Sequence, residues 1–204
     1  MTRPGKIICV GRNYRAHAKE LGNDVPAQPL LFFKPATSII AAGAAIELPP
    51  DAGRVDFEGE IGVVIGATMR RVSEADAVKG IRAIIAANDV SSRDWQKADD
   101  QWARAKGCDT FLPLGNEAAV PADLNSITVV TRHNGAEKQR ASASDMVFSI
   151  PFLLAHASKY MTLEPGDLLL TGTPAGVGQI APGDTVEVEL VGLSRVSNPV
   201  VAGK

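Results

Sequence analysis

The feature that most narrows the fold is a succession of short apolar or β-branched runs, each closed by Gly, Pro, Asn or Asp. The runs are 6–10, 30–33, 45–48, 61–65, 81–87, 127–132, 168–171 and 185–190. Segments of about 4–8 residues between turn formers read as strands, because a helix needs a longer stretch with a 3.6-residue period. Asn134-Gly135, between Val129-Val130 and Lys138-Gln139, is the strongest hairpin signal. Both residues tolerate the positive φ that a type I′ turn demands. Helical pattern is scarcer. Residues 145–160 put Met146, Ile150, Leu153, Leu154 and Ala157 on one stripe, with Asp145 offered as N-cap. Pro151 inside this segment predicts a later start or a kink. Residues 13–21 and 73–80 are shorter helix candidates, the second opened by Ser73 and Asp76 in the form of a capping box. Many strands, few helices and no strand–helix alternation predict a β-rich α+β barrel or roll over a doubly wound sheet.

The 19 Gly and 13 Pro are scattered along 204 residues, with no linker, repeat or low-complexity segment. A single domain over 1–204 is expected. Hydrophobic residues at 45% and charged ones at 22% suit a packed core and exclude a disordered chain. The net charge of −2 supplies no positive field for a polyanion, which excludes a dedicated nucleic-acid binder. Apolar stretches such as 83–87 fall far short of the ~20 residues of a membrane span. The opening M-T-R-P-G-K-I-I-C-V has no signal-peptide core, and Cys9 and Cys108 form no disulfide or metal pattern. A cytoplasmic protein is expected from both.

The first chemistry lies in D-F-E-G-E-I-G-V-V-I-G at 56–66, where Asp56, Glu58 and Glu60 enter an apolar strand at alternate positions. Strand side chains alternate faces, so Glu58 and Glu60 project the same way, about 6.6–6.8 Å apart along the chain. On spacing alone this serves equally as a solvated strand entrance or as two ligands for one cation. Asp89 ends the most apolar run, I-R-A-I-I-A-A-N-D. A carboxylate at the end of a buried strand needs a cation or hydrogen bonds; a turn or helix cap is its other use. Three carboxylates without His or Cys make an oxygen-only site suited to Mg²⁺ or Mn²⁺, with Ca²⁺ tolerated and Zn²⁺ poorly matched. His17 stands three residues before Glu20, the spacing of one helix face, where a carboxylate orients an imidazole base or merely forms a surface pair. Lys106, in a loop-like stretch, is either a solvated charge or a group for a substrate carboxylate or oxyanion. Thr171-Gly172-Thr173-Pro174 bends after a strand and offers hydroxyls and N–H groups to a carboxylate, or is a structural turn.

Taken together, six stretches resemble the fumarylacetoacetate hydrolase family, specifically its short members. They are G-R-N-Y-R-A-H-A-K-E (11–20), L-F-F-K-P (31–35), D-F-E-G-E-I-G-V-V-I-G (56–66), N-D-V-S-S-R-D-W-Q (88–96), R-A-K-G-C-D-T-F-L-P-L-G (104–115) and D-L-L-L-T-G-T-P-A-G-V-G (167–178). The resemblance implies a mixed β-roll or barrel-like fold and a homodimer. It puts metal ligands on Glu58, Glu60 and Asp89, a dyad on His17 and Glu20 in a lid at 11–21, and an active-site lysine on Lys106. Substrate contacts would fall on Arg12, Tyr14, Gln96 and Thr173. Cys108 and Leu112 depart from the family pattern near that lysine, where many relatives carry Phe and Cys respectively.

These residues lead to a metal-dependent hydrolase that cleaves a carbon–carbon bond of acylpyruvates, small anionic 2-oxo acids, giving pyruvate and a carboxylic acid such as fumarate, as in aromatic catabolism. Mg²⁺ or Mn²⁺ would accept the charge of the departing enolate, while His17, steered by Glu20, activates water. The same electron sink serves oxaloacetate decarboxylation, or isomerisation and hydration of unsaturated 2-oxo diacids. A ligand-binding protein of this fold without turnover is the reading from a different class.

Overall fold

The computed structural model describes residues 3–20, 22 and 24–204. The chain begins β1 (Ile7–Gly11), α1 (Arg15–Glu20), β2 (Leu30–Lys34), β3 (Ile39–Ala41), β4 (Ile46–Leu48), β5 (Val55–Phe57) and β6 (Gly59–Ile65). It continues with α2 (Glu74–Lys79), β7 (Ile81–Asn88), β8 (Ser91–Ser92), α3 (Arg93–Ala98), α4 (Ala103–Gly107) and β9 (Leu112–Leu114). The last third comprises β10 (Thr128–His133), β11 (Ala136–Ser142), α5 (Ile150–Tyr160), β12 (Leu168–Leu170), β13 (Gly178–Gln179), β14 (Thr185–Leu190) and β15 (Ser194–Ala202).

Each of the eight runs read as a strand overlaps one, with ends that differ by at most two residues, and local chemistry explains the rest of the agreement. Asn134 and Gly135 have φ of 50° and 79° and join β10 to β11 as the turn signal requires. Ser73 caps α2 by accepting from the Asp76 N–H. The 145–160 segment starts late, as Pro151 demands: Ser149, not Asp145, caps α5, and Pro151 occupies its first turn, where no N–H is needed. Ile150, Leu153, Leu154 and Ala157 face the core, but Met146 precedes the helix. The expected 13–21 helix is shorter, Arg15–Glu20, and Leu21 lies outside the described residues. Lys106 is not in a loop; it is on α4, whose five residues are too few to show a helical period. The longest strand, β15, gave no signal because Asn198 and Pro199 interrupt it. Pro199 is tolerated there: it stands opposite Thr185 at the end of the β14 ladder, and pairing with β4 begins only at Val200.

The strands form a seven-stranded sheet in the order β2-β1-β12-β6-β7-β9-β3, a five-stranded sheet β11-β10-β14-β15-β4 and a small sheet β13-β5-β8. β1 with β12, β15 with β4 and β3 with β9 are parallel; the other ladders are antiparallel. The result is a β-rich α+β fold, mixed and curled as a half-barrel. Both faces of the large sheet are covered. Ile8 and Val10 of β1, Ile61 and Val63 of β6 and Leu169 of β12 pack with Val129, Val188 and α5, while Ile7, Cys9, Val64, Leu168 and Leu170 fill the opposite side. Two buried faces explain why the central strands read as nearly unbroken apolar runs.

Asn13, fully buried, locks the segment between β1 and α1 to this scaffold. Its Nδ2 donates to Phe148 O (3.0 Å) and Thr171 O (2.8 Å), and its Oδ1 accepts from the Phe148 N–H (2.8 Å). Asn13→Ala strands the buried Thr171 carbonyl and two half-buried groups of Phe148, and is expected to lose about 2–3 kcal/mol in urea unfolding. An unchanged midpoint would show that these bonds do not hold α1 in place.

Candidate metal centre and lid

Strand register brings together acids that are distant in the chain. In the antiparallel β6–β7 pair Gly59 lies opposite Asn88, so Glu58 and Asp89 stand side by side just beyond it. The Asp89 N–H donates to Glu58 O (2.8 Å), and the Glu58 N–H donates to Asn88 Oδ1 (2.9 Å). Glu58 occupies the break between β5 and β6, and Glu60 follows one residue after Gly59. Ligand oxygens of Glu58, Glu60 and Asp89 all lie within 4.8 Å of one another, and all three residues are buried. On the opposite face Gly59 makes room for Thr131: a Cβ there would fall 1.9 Å from Thr131 Oγ1.

Such a concentration of negative charge needs partners, and three elements supply them. Lys106 Nζ bridges Glu58 Oε2 (2.7 Å) and Asp89 Oδ2 (2.8 Å). Lys34, from the end of β2, donates to Asp89 Oδ1 (2.7 Å). Arg93, the first residue of α3, binds Glu58 Oε1 (2.7 Å) and Asp56 Oδ2 (2.8 Å), and Arg54 also reaches Asp56. Lys34 and Arg93 were not singled out from sequence, although both stand in stretches carrying the family resemblance. The signal that finds them is the balance of charge: buried carboxylates require nearby cations.

Glu60 is the exception. It accepts from the Gly172 N–H (2.8 Å), and among the described residues no Lys or Arg bonds it. Burial first, then Asp89 and Glu58, push its carboxyl well above the ordinary range, against the pull of Lys106 and Gly172. Burial also acts to raise Glu58, but Lys106, Arg93 and His17 outweigh it and hold that carboxylate well below its usual range. Lys106 shows the reciprocal balance: burial lowers it, yet Asp89 and Glu58 win and push it up to about 12. A buried carboxyl lacking a cation, beside two others, with only oxygen donors, fits a hard divalent ion.

Above these acids opens a cavity of about 340 Å³, lined among others by Arg12, His17, Glu58, Glu60, Arg93, Gln96, Lys106 and Thr173. His17, buried on α1, reaches Glu20 Oε2 from Nδ1 (3.2 Å), and Glu20 in turn accepts from the Gly176 N–H (3.1 and 3.2 Å). The carboxylate can only accept, so Nδ1 carries the hydrogen of this pair, and Nε2 is the ring nitrogen left to exchange a proton. Phe32 and Trp102, packed edge to face at 5.2 Å, wall the cavity, and Lys106 lies 5.1 Å from the Phe32 ring. Arg12 joins it with a φ of 60°, an uncommon backbone conformation for a residue with a side chain.

Not every expected contact enters this cavity. Tyr14 is buried with its hydroxyl unpartnered, and it lines a second cavity with Arg15, Arg140 and Asp145. Thr173 lines the first, but its hydroxyl is committed to Gly59 O (3.0 Å) and to Gln139 Nε2 (2.8 Å). Gln96 accepts from Arg93 Nη1 (2.9 Å). The turn at 171–174 does receive a carboxylate, and it is the protein's own Glu60. Cys108 and Leu112 are not among the residues that line the cavity. His133 pairs with Asp184 (2.8 Å) and His156 stacks on Phe152, both away from the site.

Residues 6–201 match the family model described as fumarylacetoacetate (FAA) hydrolase C-terminal. The chain belongs to the fumarylacetoacetate hydrolase family. It is similar to Protein Rv2993c of Mycobacterium tuberculosis, 48% identical over 96% of this chain and 75% of that protein. An oxaloacetate tautomerase of Arabidopsis thaliana, described as mitochondrial, is 39% identical over 94% of this chain and 88% of its own length. Among solved structures, 5-carboxymethyl-2-hydroxymuconate delta-isomerase from Mycobacterium smegmatis superposes with a TM-score of 0.92 at 44% identity, covering 99% of this chain and 80% of that one. The family and these names make the chain an enzyme of the fumarylacetoacetate hydrolase family. Among the described residues no helix is long and apolar enough to cross a membrane, which says nothing of strands.

The state of Glu60 gives a signed expectation. Its folded carboxyl is held above the unfolded value, so its contribution to metal-free stability is full below the ordinary glutamate range and is lost as pH rises through the raised value. Glu60→Gln removes that loss. In metal-free denaturant titrations the variant should gain on the wild type as pH rises above the ordinary glutamate range, while its Mn²⁺ affinity falls at least about tenfold. A gap that shrinks with rising pH would contradict the assignment of a strained, cation-seeking carboxyl.

Proposed function

We propose that this protein catalyses metal-assisted proton transfer next to the carbonyl of a small 2-oxo diacid, interconverting its keto and enol forms. The observation that carries this reading is that His17, Glu58 and Glu60 line one cavity, with Asp89 buried within 4.8 Å of the two glutamates. The names of the tautomerase and isomerase relatives support the same class of chemistry. Mg²⁺ or Mn²⁺ held by Glu58, Glu60 and Asp89 would supply a Lewis acid for the 2-oxo oxygen.

The protein's own residues do the rest. His17 Nε2 takes the proton from the carbon beside the carbonyl and returns it to oxygen, or the reverse. Glu20 stabilises the imidazolium that forms in between, and the Gly176 N–H keeps Glu20 in place. Arg93 offers an unpartnered buried Nη2 near the cavity, and Arg12 and Lys97 add positive charge to its lining; both features favour an anionic substrate. Phe32 and Trp102 exclude water from one wall. Substrate contacts are assigned to Arg12 and the Gln96 amide, while Thr173, its hydroxyl held by Gly59 O and Gln139, shapes the wall; Lys106 neutralises developing negative charge.

Hydrolysis of acylpyruvates is the second reading, favoured by the same dyad, since His17 can draw its proton from water instead of carbon. A homodimer and a cytoplasmic setting belong to this proposal. The exposed Leu30 and Phe33 on edge strand β2 support the first, and the two free cysteines support the second.

The test is proton NMR of oxaloacetate in D₂O with Mg²⁺, alongside pyruvate release from a panel of acylpyruvates. Wild type should accelerate exchange of the C3 protons, EDTA should abolish the effect, and His17→Ala should lower kcat by about 10²–10⁴. Pyruvate release from acylpyruvates outrunning exchange would select hydrolysis, with Glu20→Ala then affecting hydrolysis more than decarboxylation. Absence of every metal-dependent turnover would leave a ligand-binding protein.

A further inference from the structure

Lys34 has no role in the chemistry above, yet it is among the most deeply buried charges of the molecule. Its side chain has 0% exposure, as does that of Asp89, to which it is bonded at 2.7 Å. It also donates to Val90 O (3.3 Å), so its ammonium is fixed at the back of the cluster, and it is not among the residues lining the cavity. Four acids, Asp56, Glu58, Glu60 and Asp89, share this region with four bases, Lys34, Arg54, Arg93 and Lys106. With Glu60 ionised as a ligand of a bound ion, the four acids and four bases cancel. The divalent ion then leaves two uncompensated charges in a buried site, which weakens its hold there. A ligand carrying two negative charges restores neutrality. The unpartnered Nη2 of Arg93 marks a place where such a ligand finds a donor.

We propose that Lys34 is a positioning residue that pre-neutralises Asp89, so that the metal centre holds a divalent ion tightly only together with a dianionic ligand. The inference rests on the reading that the carboxylate cluster is a metal site, and it adds a rule of assembly: ion and 2-oxo acid stabilise each other's binding. By linkage the effect is reciprocal, the ion tightening the anion by the factor by which the anion tightens the ion. Substrate would then complete the centre, and the empty enzyme would release its ion readily.

The experiment is Mn²⁺ titration followed by electron paramagnetic resonance at pH 8, with and without oxalate, corrected for Mn²⁺–oxalate complexes in solution. Wild type should bind Mn²⁺ at least tenfold more tightly with oxalate present. Lys34→Met removes one positive charge, so it should bind Mn²⁺ alone at least tenfold more tightly than wild type and show a smaller oxalate effect. Damage to the fold moves the affinity the other way, so the sign separates a charge effect from a structural one. Thermal unfolding with Mn²⁺ alone provides a second readout: the ion should raise the midpoint of the variant more than that of wild type. Equal Mn²⁺ affinity with and without oxalate overturns the inference and leaves the metal site standing, as does a Lys34→Met protein that binds Mn²⁺ alone no better than wild type. Absence of Mn²⁺ binding in every condition overturns the metal site and the inference together.

Discussion

The structure depends on how it keeps carboxylates charged inside a protein core. Asp56, Glu58 and Asp89 are buried and each is bonded to a fixed cation, whereas Glu60 has an N–H and two anionic neighbours. Burying an ion without a partner costs several kcal/mol even after relaxation, so the surrounding elements are arranged around this compensation. β2 delivers Lys34, α3 delivers Arg93, α4 delivers Lys106, and the turn after β12 delivers the Gly172 N–H. Removing a cation would leave its carboxylate exposed to the same penalty. The single position left under-compensated is where an additional cation is most favourable, which links the folding energetics of the site directly to its chemistry.

A second division runs between this scaffold and the dyad. His17 and Glu20 ride on a helix of six residues, too short to be stable alone. α1 holds its place through tertiary contacts: Ala18 and Tyr14 are buried, Asn13 is tied to Phe148 and Thr171, and Glu20 is clamped by the Gly176 N–H. His17 is therefore carried by a short helix that relies on tertiary contacts, whereas Glu60 sits on a strand paired on both sides.

What could be read from the residues followed from short-range chemistry. The alternation in 58–60, the Asn134-Gly135 turn, the Ser73 cap and the restriction imposed by Pro151 are all settled within a few residues, and each reappears in the fold. The cluster of Glu58, Glu60 and Asp89 was legible for a related reason: an acid at the end of an apolar run stands out whatever its partner. Lys106 on a helix, β15 across a proline and the burial of Tyr14 were not legible. A five-residue helix has no period to detect, Pro199 is acceptable only because of the strand it meets, and Tyr14 turns toward Asp145 and Met146 through a bridge formed by distant chain.

By itself the sequence determined much of the local geometry: most of the segments that extend, the Asn134-Gly135 turn, the Ser73 cap, and an oxygen-only set of candidate metal ligands. Tertiary structure alone decided that Gly59 pairs with Asn88, and with it that Glu58 and Asp89 stand together. It also decided that Lys34 and Arg93 arrive as their counter-charges. The reason is that pairing between strands is a non-local choice. It is set by how two sheets and α5 bury their apolar faces at once, and that energy is a property of the whole packed chain, not of any window along it.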